Sequence, residues 1–75
     1  MRATLSDARK NVTRRVHWLG DTHMGTIVGA ELENGYVRYI IDWDPGQPAW
    51  WATRISMNSA TLVIDADNPA HMDVG

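Results

Sequence analysis

Asn34-Gly35 lies between two stretches of alternating apolar and polar residues, 25–33 and 36–43. Both residues tolerate positive φ, which the two central positions of a type I′ hairpin turn require. Placing them in the turn fixes a register. Leu32 then faces Val37, Ala30 faces Tyr39, Val28 faces Ile41 and Thr26 faces Trp43, all on one side of the ribbon. The other side sets Glu33 against Tyr36, Glu31 against Arg38 and Ile27 against Asp42. One side is thus apolar, and the other carries an opposite-charge pair. A one-residue slip would destroy this sorting.

Further strands follow from the same alternation. Residues 12–19 place Val12, Arg14, Val16 and Trp18 on one side, and the segment 20–25, bounded by glycines, reads as a loop. Asp44-Pro45-Gly46 suits a type II turn, with Pro at its second position and Gly at its third. Residues 49–55 predict a strand with Ala49, Trp51, Thr53 and Ile55 inward and Trp50, Ala52 and Arg54 outward. Residues 56–59 are too short and polar for a strand and suit one helical turn. Residues 61–65 form a last short strand, with Leu62 and Ile64 inward. The expected domain is 12–65, with a basic arm at 1–11 and a tail at 66–75. In the arm, Ser6-Asp7 could cap one or two helical turns. It offers few apolar side chains, so the domain should fold without it.

Five short strands with no helix to cover them point to an all-β fold: a small five-stranded antiparallel meander closing into a barrel. Three segments carry a resemblance: Gly25-Thr26-Ile27-Val28, Gly35-Tyr36-Val37-Arg38 and Asp42-Trp43-Asp44-Pro45-Gly46. Together they resemble SH3-like barrels of the Tudor and KOW type, over about residues 15–65. In Tudor-like barrels, aromatics at strand ends and turns can cage a cationic side chain. The resemblance implies such a role for Trp50, Tyr36 or Trp18 beside Asp42 or Asp44. Gly25 to Gly29 and Gly35-Tyr36 are also similar to type II dihydrofolate reductases. The Val-Gln-Ile-Tyr segment of those enzymes has no equivalent here.

Chemistry-bearing motifs are few. The chain has no cysteine, which excludes disulfides, thiolate metal sites and a cysteine nucleophile. Ser6, Ser56 and Ser59 sit in no nucleophile motif, and the glycines form no phosphate-cradling loop. His17 and His23, with Asp21, lack tight metal-ligand spacing, and Asp65-x-Asp67-Asn68 lacks the Gly and distal Glu of a calcium loop. No metal, cofactor or enzymatic activity is therefore expected. Four tryptophans and no phenylalanine stand out, because indoles combine large apolar area with a polar donor and favour recognition surfaces.

Charge is uneven. Residues 1–15 carry Arg2, Arg9, Lys10, Arg14 and Arg15 against Asp7, whereas residues 16–75 carry Arg38 and Arg54 against eight carboxylates. The expected function is a non-enzymatic protein-binding adaptor or regulatory module. It would use exposed aromatics and acidic turns through Trp50, Tyr36, Asp42, Asp44, Arg38 and Arg54. Its small size suits a phage or mobile-element protein that blocks a host complex. A nucleic-acid-binding barrel is the alternative. There Arg9, Lys10, Arg14 and Arg15 contact phosphates, and Trp50 lies between Arg38 and Arg54 on one outer face. A small oligomeric enzyme with its site between subunits is the third reading. Apolar runs are too short for a membrane span or a signal-peptide core, so a cytoplasmic location is expected.

Overall fold

The computed structural model describes residues 4–65. A short helix α1 (Leu5–Arg9) precedes five strands: β1 (Arg15–Trp18), β2 (Met24–Glu33), β3 (Tyr36–Trp43), β4 (Arg54–Ser56) and β5 (Leu62–Ile64). They form one antiparallel sheet in the order β4-β3-β2-β1-β5. The fold is therefore all-β with one helix. No pairing joins β4 to β5, so hydrogen bonding does not close the sheet into the expected barrel. With three residues each, the two edge strands offer few groups with which to close it.

The hairpin turn is where the sequence places it, with Asn34 at φ 54° and Gly35 at φ 82°. Glu33–Tyr36, Leu32–Val37, Glu31–Arg38 and Ala30–Tyr39 pair as expected. Beyond Gly29–Ile40 a β-bulge shifts the register by one, and Ile27 pairs with Ile41, Thr26 with Asp42 and Gly25 with Trp43. Val28 is consequently 52% exposed, while Ile27 is fully buried. The expected pairs Val28–Ile41, Thr26–Trp43 and Ile27–Asp42 do not form.

The reason lies under Trp43. A Cβ at position 25 would stand 2.6 Å from Trp43 Cε3 and 3.0 Å from Ile41 Cγ2. The indole thus occupies the space that any other side chain there would fill. The bulge brings Gly25, which has no Cβ, beneath the ring and turns Thr26 to the other side.

The core comprises Ala8, Val16, Ile27, Tyr39, Ile41, Trp43 and Ile55. Its member from α1 ties the helical part of the expected arm to the sheet. Thr4, not Ser6, caps the helix: its side chain accepts from Asp7 N–H at 3.1 Å, and its own N–H donates to the Asp7 carboxylate at 3.2 Å. Ala8 is fully buried. Just beyond the helix, Asn11 Nδ2 donates to Tyr39 Oη at 2.8 Å, which gives that buried phenol its polar partner. Turns through Thr13, at φ 87°, replace the first half of the expected first strand.

The strand expected at 49–55 begins late. Trp51 N–H donates to Pro48 C=O at 3.1 Å, which makes 48–51 a turn, and pairing starts where Ile41 N–H meets Thr53 C=O at 2.7 Å. Ala49 and Thr53 are exposed, Trp51 is half-buried and Ile55 is buried. Gly46, at φ 103°, takes the positive-φ position of the Asp44-Pro45-Gly46 turn. A turn at Met57–Asn58 leads towards β5, whose Leu62 and Ile64 pack on the core as expected. Among the described residues no helix is long and apolar enough to cross a membrane.

Gly25→Ala should force Trp43 from its position and destabilise the fold by about 1–3 kcal/mol, read as a lower midpoint in urea. Removing residues 1–11 should cost about 1–3 kcal/mol, because the Tyr39 hydroxyl loses its partner. An unchanged thermal midpoint after truncation would contradict that packing.

Candidate functional site

The residues expected to form one site lie at two ends of β3. Tyr36 begins the strand, and Trp43 and Asp44 lie at its other end, about 23 Å away at ~3.3 Å per residue.

At the hairpin end, Arg38 Nη2 donates to Glu31 Oε2 at 2.7 Å and also to Glu33, while Arg54 Nε reaches Glu31 Oε1 at 3.4 Å. The two arginines are thus joined through Glu31 rather than arrayed beside Trp50. The Arg38 guanidinium, and secondarily Arg54, holds the Glu31 carboxyl below its ordinary range. An open cleft of about 360 Å³ is lined by Glu33, Asn34, Tyr36, Arg38 and Ser56. Tyr36 is 71% exposed there.

The opposite end gathers all four tryptophans. Trp43 is buried, and its indole N–H donates to Ala52 C=O at 2.8 Å. Trp51 packs on it nearly edge-on, with ring centroids 4.8 Å apart at 71°. Trp18 lies 5.5 Å from Trp43 and 6.1 Å from Trp51. Outermost is Trp50, 82% exposed, with its ring 6.4 Å from Trp51 and at 76° to it. Each inner indole rests on another, so Trp50 projects from a rigid aromatic base.

The loop between β1 and β2 completes this end. His23 sits 5.5 Å from Trp51 at 84°, its Nε2 bonds Asp44 C=O at 2.8 Å, and its N–H donates to Asp21 Oδ1 at 2.9 Å. No local motif marks His23 as part of the cluster, because only the folding of one loop against another brings it there. Arg15 reaches across from β1. Its Nη1 donates to Thr26 Oγ1 at 2.6 Å and Asp44 Oδ1 at 3.0 Å, and its Nη2 donates to Asp44 Oδ2. This bidentate contact, more than the field of His23, holds the Asp44 carboxyl below its ordinary range. Asp42 is exposed and has no ion pair among the described residues.

The basic cluster of the nucleic-acid reading is largely engaged within the chain. Arg15 is held by Asp44, and Lys10 Nζ lies 3.9 Å from Asp7. Arg9 is exposed on the last turn of α1, and Arg14 is half-buried in the turn before β1. His17 Nε2 faces Asp65 Oδ1 at 3.4 Å, well apart in its contacts from His23. Among the described residues no three His, Cys, Asp or Glu side chains could hold a metal ion. The calcium-loop segment at Asp67 and Asn68 lies outside the described residues.

Comparison with protein-family models, with curated proteins and with solved structures finds no match.

Acid should weaken both carboxylate contacts. Glu31 and Asp44 have depressed folded-state pKa values. Their contribution is therefore complete above the ordinary values of 4.5 and 3.8 and is lost as pH falls through the lowered ones. Urea midpoints measured from neutral pH down to strongly acidic pH should fall across that window. Asp44→Asn should flatten part of the decline, and an identical decline in the variant would contradict the Asp44 assignment.

Proposed function

We propose that the chain is a non-enzymatic protein-binding module with an SH3-like arrangement of strands, and that its partner docks at the tryptophan end. The observation that carries this reading is Trp50, exposed over most of its surface on a base of three packed indoles. A large apolar ring held in water offers no stability to the isolated domain, and interfaces draw much of their affinity from such residues. The two indole faces of Trp50 and Trp51 meet at a steep angle. Asp21 and Asp42 are exposed carboxylates near this end of the sheet. A basic side chain on the partner suits that setting through cation–π and charge attraction. The SH3-like reading is supported by the meander β1 to β4 and by the return of the last strand beside β1 after a single turn.

The two adjacent tryptophans supply a matched test. Trp51→Ala removes half-buried aromatic packing and should cost about 2–3 kcal/mol, less than a fully buried tryptophan. Trp50→Ala should change stability by less than about 1 kcal/mol. In capture from native lysate, the proteins retained by the wild-type chain should survive nuclease treatment and disappear with Trp50→Ala. Capture abolished by nuclease would instead favour the nucleic-acid reading, and capture indifferent to Trp50 would move the site elsewhere.

A further inference from the structure

Asp44 is the point at which the two halves of the tryptophan end meet. Its backbone N–H donates to Met24 C=O at 3.0 Å, at the start of β2. Its backbone C=O accepts from His23 Nε2, in the loop before β2. Its carboxylate takes both terminal nitrogens of Arg15, from β1. The ten residues 44–53 between β3 and β4 contain no strand, yet they carry Trp50 and Trp51. Their remaining ties to the sheet among the hydrogen bonds are the Trp43 indole to Ala52 C=O and Ile41 N–H to Thr53 C=O, both at the far end of the connection. At the near end, Arg15 is the one side chain that reaches Asp44 from another strand with a planar two-point contact, and Thr26 Oγ1 fixes the guanidinium in place.

We propose that Arg15 is a positioning residue for the aromatic site, a latch from β1 that sets the direction in which the 44–53 connection presents Trp50. Its role in binding rests on the reading given above, whereas the latch itself does not depend on it. The assignment gives Arg15 an intramolecular task in place of a phosphate contact. A planar guanidinium bound at two points resists rotation, which a lysine ammonium cannot do. Without it, the turn remains tied by its backbone to Met24 and His23, but the start of the connection loses its two-point ion pair. The arrangement competent for binding then becomes one of several. Falling to one-tenth of the population would weaken Trp50-dependent binding about tenfold.

The test uses the four indole N–H signals of the full chain in ¹H–¹⁵N spectra, with Trp43, whose N–H bonds Ala52, as internal reporter. Arg15→Ala should shift the Trp50 and Trp51 signals and speed solvent exchange at the Trp43 indole, while the backbone amides of Leu32 and Val37 in the hairpin stay as they are. Arg15→Lys, which keeps the charge and loses the planar contact, should show the same indole shifts to a smaller extent. The charge-exchanged double variant Arg15→Asp with Asp44→Arg should return them towards wild type. Unchanged indole signals in both single variants would overturn the proposal. So would hairpin amides that change in step with the indoles, because Arg15 would then act on the whole fold. If the indoles respond as expected but capture of the partner ignores both Trp50→Ala and Arg15→Ala, the latch stands and the binding reading fails.

Discussion

The close approach of the Trp43 ring to the backbone of Gly25 governs much of the rest of the sheet. An indole cannot lie flat on a strand where a Cβ projects, so the position opposite Trp43 has to be glycine. The hairpin turn at Asn34-Gly35 counts a register from the other end of the same ribbon, and that count sets Thr26 opposite Trp43. The bulge at Val28 reconciles the two demands. Its consequences spread outward. Ile27 enters the core, Val28 leaves it, and Thr26 turns to the side where its hydroxyl meets Arg15. The geometry of the Arg15–Asp44 contact thus depends on a one-residue insertion in a neighbouring strand.

This also explains which parts were legible in the sequence. The turn, the pairs nearest to it and the inward positions of β3 follow from local chemistry and strict alternation. The exposure of Trp50 agrees with the expected direction but not with its reason, since 48–51 is a turn and Ala49 and Thr53, inward by alternation, are exposed as well. The bulge was not legible, because Thr26-Ile27-Val28-Gly29 alternates equally well in either register. What chooses between them is the volume of the Trp43 ring, on the far side of the hairpin turn. The late start of β4 has a similar origin. Residues 49–55 have strand-like composition, but Pro48 C=O captures Trp51 N–H in a turn before the sheet can.

The helix shows the opposite failure. Counted by apolar residues, 1–11 has little to bury, and the charge pattern suggests an arm directed outward. Ala8 is the fully buried residue of the helix, its small side chain lets the helix approach the sheet closely, and Asn11 supplies the bond that the Tyr39 phenol needs in the interior. Composition measures how much a segment can bury, not how well it fits. The same limit applies to the candidate site. Trp50 and the acidic turn could be named from the sequence, but His23 and Arg15 join them only through contacts between distant segments.

The two edge strands bear on how the chain behaves in company. Each is three residues long, and β4 turns a charged Arg54 and a polar Ser56 away from the core. Strands of this length give an incoming chain little backbone to pair with, and charged side chains at an edge discourage such pairing. A protein that keeps a bare tryptophan in water runs a standing risk of sticking to its own copies. Here the sheet margins add little to that risk, which rests instead on apolar side chains held in water at both ends of the sheet, Trp50 at one and Tyr36 at the other.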